Sequence, residues 1–222
     1  MSVDIVFLNA LGLLPPDIVA TVRAGIEDGV AALRRHVPVE HIGVSVHDST
    51  FVGEDTGFGG VSYGPQSFAL YVDHASESLR LNTRRNAAST VVHELHHCLR
   101  QRSCPFRPRD QLCAGSVLVL EGLAVHCEEF LGFGDSILVR GVGSEMVRPL
   151  MNKIAPIIDD PDAEWAWIYR QNGLPKYPAM YPMGYYLVEP YLKAHHRNSI
   201  EAVDVPWREF WEVFTMANSQ NS

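Results

Sequence analysis

Two histidines and a glutamate within five residues form the clearest candidate for chemistry in this sequence. Residues 93–97 read His-Glu-Leu-His-His, an HExxH pattern. On a helix that turns about 100° per residue, His93 and His97 lie about 40° apart, so both imidazoles can reach one cation. Glu94 is displaced by about 100° and lies beside that cation, where a carboxylate can accept a proton from a metal-bound water. The pattern predicts a Zn²⁺ site with His93 and His97 as ligands and Glu94 as general base.

A chance match on a surface helix is the alternative, because the chain contains 10 histidines. The neighbouring residues argue against chance. Apolar residues cluster on the face opposite the two histidines, which predicts a helix that packs by one side and presents its ligands on the other. These residues are Ala88, Val91, Val92, Leu95 and Leu99. His96 falls between the two faces and is given no ligand role.

A third protein ligand is expected from the next helix, because a catalytic zinc usually has three. Glu121 follows the apolar run 117–120, and a buried carboxylate is costly unless a metal or another cation partners it. Glu128 lies two turns further on and is either a rival third ligand or a partner of the ligands. His126 is about 140° away from Glu121 around the helix, which favours a packed or exposed histidine. The prediction for the third ligand is Glu121.

The predicted reaction is metal-assisted hydrolysis. Zinc lowers the pKa of its water to about 7, and Glu94 accepts the proton and passes it to the leaving amine. The developing oxyanion needs a further donor, and a tyrosine hydroxyl is suitable. Tyr181 and Tyr185 share one face if the helix extends back to Tyr181, and Tyr181 is the preferred candidate. Packing of either tyrosine in an aromatic core is the alternative.

Three stretches resemble a known family. They are Thr-Val-Val-His-Glu-Leu-His-His-Cys-Leu-Arg at 90–100, Glu-Gly-Leu-Ala at 121–124 and Tyr-Pro-Met-Gly-Tyr-Tyr-Leu-Val-Glu-Pro-Tyr-Leu at 181–192. Together they resemble the predicted zinc-dependent protease family, formerly a domain of unknown function, over roughly residues 65–210. The resemblance implies a gluzincin-like metallopeptidase with a zincin-like fold, zinc on His93, His97 and Glu121, and Tyr181 and Gly184 near the site.

This chain departs from the pattern in two places. The connection 98–113 is rich in cysteine and arginine, and Val125 stands where many gluzincins place an acidic partner of the ligands. Two other functions remain open beside a peptidase. One is a zinc hydrolase acting on a small amide or a metabolite, and the other is a non-enzymatic zinc-containing binding or regulatory module. Glu94 argues against the second, since a structural site needs no base. The sequence identifies neither the substrate nor the mode of cleavage.

The elements that must position these residues change in type along the chain. Strands are predicted at 3–8, 41–47 and 67–73, with an amphipathic helix from Pro15 towards Pro38 and a glycine-rich loop at 53–64. The strand at 68–73 precedes the ligand helix, as an edge strand that pairs with an extended peptide does in many metallopeptidases.

Helices are predicted for most of the remainder. They cover 79–84, 86–102, 114–131, 147–158 and 183–196, with a kink or break at Pro190 and a last helix from Pro206-Trp207. The segment 104–109 is a proline-broken connection. The prediction is one α+β domain over 1–222: a small N-terminal mixed sheet with helices in a strand-rich lobe (about 1–75), then a mainly helical lobe (about 76–222) that carries the HExxH helix.

Composition narrows the possible partners. A net charge of −8 and a pI near 5.6 argue against a nucleic-acid or anionic-membrane surface. Without an evident signal peptide or a long apolar run, a cytoplasmic location is expected. Reduced thiols are therefore favoured over disulfides for Cys98, Cys104, Cys113 and Cys127, and the lack of a CxxC pair disfavours a cysteine zinc site. The oligomeric state is left open.

Overall fold

The computed structural model describes residues 2–53, 55–104, 113–133, 138–164, 166–169 and 178–219. These residues form two compact units. The first contains Met1–Arg102 with Leu131–Phe133, and the second contains Ser103–Phe130 and Gly134–Ser222. Most of the predicted connection at 104–109 lies outside the described residues. The described residues contain six helices and a four-stranded sheet, which make this an α+β protein, as the sequence predicted.

The first unit contains a mixed sheet and two long helices. The strands are β1 (Val3–Leu8), β2 (Ile42–Asp48), β3 (Phe58–Gly64) and β4 (Ser67–Val72), and the helices are α1 (Pro16–Arg34) and α2 (Leu79–Ser103). The sheet order is β1-β2-β4-β3, in which β1, β2 and β4 are parallel and β3 is antiparallel to β4. Alternate side chains of β2 are buried, which is the period of a sheet with one covered face.

Glycines bring α1 close to α2. A Cβ atom at Gly25 would lie 2.5 Å from the Arg84 carbonyl oxygen, and one at Gly29 would lie 2.8 Å from the Ala88 carbonyl oxygen. Arg84 also forms a two-point ion pair with Asp28, through Nε and Nη2 at 2.6 and 2.9 Å. The sequence predicted that α2 packs by one side and presents its ligands on the other, but every residue from Val91 to Arg100 is buried. The backbone of α2 departs from helical geometry at Asn82, close to the expected junction between two segments.

The predicted loop at 53–64 is wrong in its second half, because residues 58–64 form β3. Glycine has low strand propensity, so sequence patterns favour a loop here. Pairing with β4 nevertheless holds the segment extended, with Gly60 opposite Leu70 and a bulge between Ser62 and Gly64. The sequence left open whether the strand at 68–73 is an edge strand. It is not, because β4 lies between β2 and β3, and β3 and β1 are the two terminal strands of the described sheet.

The second unit is helical. It contains α3 (Ala114–Phe130), α4 (Ser144–Ile154), α5 (Met180–His195) and α6 (Trp207–Ser219), with short 3-10 turns at Ala155–Ile157 and Ala166–Tyr169. Pro190 lies inside α5 without ending it. The core includes Leu118, Leu123, Ile154, Ile168, Met183, Leu187 and Phe210. Among the described residues, no helix has both the length and the apolar character needed to cross a membrane.

Two glycines allow α3 and α5 to touch backbone to backbone. A Cβ atom at Gly122 would lie 2.2 Å from the Gly184 carbonyl oxygen, and a Cβ atom at Gly184 would lie 2.2 Å from that of Leu118. No side chain fits at either position without separating the helices. Gly122 directly follows Glu121, so this crossing fixes where the backbone of Glu121 lies against α5.

Candidate metal centre

Helix α2 brings the two predicted histidine ligands together. His93 and His97 are one turn apart, and their ring centroids are 4.6 Å apart with the ring planes at 85°. Each residue is 6% exposed, so the pair lies in the interior. The two histidines therefore have the helical spacing that the sequence predicted. The alternative, a chance match on a surface helix, does not apply because the pair is buried.

Glu94 completes a compact group of possible ligands. His93, Glu94 and His97 each offer one nitrogen or oxygen, and these atoms lie within 4.8 Å of one another. Two imidazoles and a carboxylate are a donor set that suits zinc. A buried carboxylate next to two imidazoles also favours a cation electrostatically. The residues present therefore fit the metal that the sequence predicted.

The Glu94 carboxylate lies against the backbone of β3. A Cβ atom at Gly60 would be 2.5 Å from both Cγ and Oε1 of Glu94, and 2.7 Å from its Cδ. The carboxylate thus occupies space that only glycine leaves open at this position. Sequence reasoning missed Gly60. The signal was the pair Gly59-Gly60 within an extended segment, since glycine in a strand often marks a close approach.

The remaining polar residues of α2 are buried beside this group. His96, which the sequence left without a ligand role, has no exposed surface. The Cys98 thiol approaches the Ser67 carbonyl oxygen at 3.8 Å. Burial, reinforced by the Glu94 charge, raises the pKa of Cys98 to about 12, so the thiol stays protonated at neutral pH. All four cysteines are free thiols.

Glu121 and Tyr181 belong to the second unit. Glu121 is buried in α3 and is 9% exposed, and Glu128 on the same helix is 5% exposed. Burial, with a contribution from the Glu121 charge, raises the pKa of Tyr169 to about 12. Tyr181 lies in the first turn of α5 and is half-buried, so Tyr181 and Tyr185 do share one helix. The membership of Glu121 and Tyr181 in the metal site is taken up as a proposal below.

Tyr185 has other partners. Its hydroxyl donates to Glu129 Oε2 at 3.2 Å, and its ring stacks on His126 with centroids 4.1 Å apart and planes at 9°. His126 Nε2 donates to the Tyr185 carbonyl oxygen at 3.2 Å. His126 is thus a packed histidine between α3 and α5. These contacts give Tyr185 a packing role between α3 and α5.

Comparison with known proteins agrees with this site. A family described as Predicted Zn-dependent protease (DUF2268) matches residues 35–212, which span most of the chain and include both α2 and α3. No curated protein and no solved structure gives a significant match. Because the family match covers far more than half of the chain, the chain belongs to the Predicted Zn-dependent protease family.

Proposed function

We propose that this protein is a zinc-dependent metallopeptidase of the gluzincin type, with His93, His97 and Glu121 as metal ligands and Glu94 as general base. The observation that carries the proposal is the buried group of His93, Glu94 and His97, whose donor atoms lie within 4.8 Å of one another. The family to which the chain belongs supports the choice of zinc and of a protease. Glu121 supplies the further carboxylate that a three-ligand catalytic site requires.

Zinc supplies Lewis acidity when it is bound, polarising the scissile carbonyl and making water acidic. The chain's own part is proton transfer. Glu94 is 4% exposed, so little bulk water competes for its carboxylate. One Oε atom takes the proton of the attacking water and then donates it to the leaving nitrogen. Tyr181 is proposed as the hydroxyl donor that stabilises the oxyanion.

The position of β3 supports a peptide as substrate. Among the described residues, β3 has a ladder partner, β4, on one side only. The Phe58 carbonyl on its other side already accepts from the Gly53 amide, and an extended peptide can pair along the rest of that side through backbone hydrogen bonds. Gly60 lies in this strand in contact with the Glu94 carboxylate, so a paired peptide would run close to the proposed base.

The first prediction separates the base from the ligands. Glu94→Gln keeps the shape of the side chain but removes its basicity, so we expect close to one zinc per chain and no hydrolysis. His93→Ala and His97→Ala should lose the metal itself. Elemental analysis and turnover of a substrate found in a peptide library measure the two effects. Glu77→Gln is a matched control on an exposed residue and should behave as wild type.

Two results would count against the proposal. Protein supplemented with zinc that holds no stoichiometric transition metal would overturn the metal site. A Glu94→Gln variant with wild-type turnover would overturn the base. A zinc-loaded wild type that ignores peptides but cleaves small amides would identify the metabolite hydrolase instead. Stoichiometric zinc without any hydrolysis would favour the non-enzymatic module.

A further inference from the structure

Two consecutive glycines in β3 face opposite sides of the sheet, and each is in close contact. The three atoms nearest to a Cβ atom at Gly60 would all come from the end of the Glu94 side chain, at 2.5–2.7 Å. A Cβ atom at Gly59 would lie 2.4 Å from the Phe51 carbonyl oxygen. Successive side chains of a strand point to opposite faces, so β3 lies between Glu94 and the backbone at Phe51.

This arrangement holds β3 in place. On one face, the Phe51 carbonyl prevents the strand from moving away from α2. Along its edge, the Gly53 amide donates to the Phe58 carbonyl oxygen at 2.9 Å, and the ladder with β4 continues through Gly60 and Leu70. If a side chain is added at position 60, the flexible carboxylate end of Glu94 moves more easily than the backbone of β3.

We propose that Gly60 is a positioning residue for Glu94, whose lack of a side chain lets the carboxylate rest on the backbone of the edge strand beside His93 and His97. The inference rests on the proposed role of Glu94 as general base. A methyl group at position 60 pushes the carboxylate away until the two groups are in ordinary van der Waals contact, a displacement of about 1 Å. A misplacement of about 1 Å in a catalytic group can lower turnover on the order of 100-fold.

The test substitutes Gly60→Ala in the full zinc-loaded protein. We expect kcat to fall on the order of 100-fold with KM little changed, since the base is displaced and the peptide edge is kept. Zinc content should stay at the wild-type level, because the three atoms nearest to a Cβ atom at position 60 belong to Glu94. Gly64→Ala is the matched control in the same strand. A Cβ atom there meets nothing within 4 Å, and the variant should behave as wild type.

A thermal double-mutant cycle tests the contact without any substrate. Glu94→Ala removes the three atoms that lie nearest to a Cβ atom at position 60. Gly60→Ala should therefore lower Tm on the order of 5 °C when Glu94 is present and have no such effect in the Glu94→Ala background. If Gly60→Ala alone fails to fold, recovery of folding in the double variant supports the same contact.

The inference is overturned by wild-type kcat in Gly60→Ala, by an effect confined to KM, or by an equal loss of Tm in the two backgrounds. It is also overturned if neither the single nor the double variant folds, since the clash would then not involve Glu94. Because the thermal cycle needs no turnover, inactivity of the wild type against every peptide would count against the peptidase proposal alone.

Discussion

The two buried glutamates of α3 compete for the role of third ligand. Glu121 and Glu128 are separated by about two helical turns, and each is at most 9% exposed. Glu121→Ala should weaken zinc binding strongly, since removal of one of three protein ligands leaves the metal on two imidazoles. Glu128→Ala should keep the metal. Competition with a zinc chelator of known affinity measures both, with unfolding of the apo-proteins as the control for stability.

Loss of zinc in Glu128→Ala, with zinc retained in Glu121→Ala, would exchange the two assignments. Glu128→Ala has a further use as the matched control. Like Glu121→Ala, it removes a buried carboxylate from α3. Any general effect of losing a buried side chain from this helix therefore appears in both variants. Only a difference between them reports on ligation.

Tyr181 can be tested by removing a single oxygen atom. Tyr181→Phe keeps the ring in the first turn of α5, so packing and stability should change little. If the hydroxyl stabilises the oxyanion, kcat should fall on the order of 100- to 1000-fold while KM stays nearly constant. Steady-state kinetics on the peptide substrate check this. A Tyr181→Phe variant with wild-type kcat would remove Tyr181 from the site.

At the residue scale, sequence spacing was sufficient to predict contacts between side chains of the same helix. His93, Glu94 and His97 are close because helical geometry alone places them so. Gly60 could not be predicted in the same way. Its contact with Glu94 depends on which strand ends the sheet and which face meets α2, and both are properties of chain topology rather than of local sequence.

Between elements, the contact of α3 with α5 contains a partly buried titratable group, His126. Burial lowers the pKa of His126, while the hydrogen bond to the Tyr185 carbonyl and the Glu189 charge oppose this shift more weakly, and Lys193 adds to it. Glu129 also faces the ring, with Oε2 3.9 Å from Nδ1. The folded protein therefore holds His126 neutral at a pH where the unfolded chain already binds a proton.

The sign of the pH dependence follows from this difference. The unfolded histidine has a pKa of about 6.5 and the folded one is lower, so His126 favours folding above about pH 6.5 and loses that contribution as pH falls. Each pH unit below 6.5 should lower the free energy of unfolding by up to about 1.4 kcal/mol, until the folded pKa is reached. Urea unfolding at pH 7.5 and 5.5 measures it.

His126→Gln is the control for this prediction. It keeps an N–H donor for the Tyr185 carbonyl and does not titrate. The free energy of unfolding of the wild type minus that of the variant should be smaller at pH 5.5 than at pH 7.5. Contributions from the other histidines cancel in this difference. A gap that stays constant or widens at pH 5.5 would show that His126 does not carry the predicted dependence.

The sequence predicted helices better than it predicted strands. The expected helix at 114–131 is α3, and the expected helix at 183–196 begins three residues earlier, at Met180. Apolar periodicity over several turns gives a strong signal, whereas β3 has glycine at three of seven positions and little periodicity to read. Its extended form comes from pairing with β4, a tertiary effect that outweighs local preference.

For the whole molecule, the order of elements was enough to predict an α+β fold. Strands dominate the chain before residue 75 and helices dominate after it, as the structure confirms. Helix α2 joins the sheet in the first unit because glycines of α1 and β3 let it pack closely, so the unit that contains the HExxH residues extends to Arg102.

The terminal position of β3 also matters for how copies of this chain meet in solution. A strand at the edge of a sheet can pair with the same strand from another molecule, which is how sheets begin to aggregate. The bulge between Ser62 and Gly64 interrupts the ladder, and the glycines keep its side chains sparse. A strand from another molecule can therefore pair in register with β3 over a short length only. Stiffening β3 with β-branched residues would favour self-association at the expense of solubility.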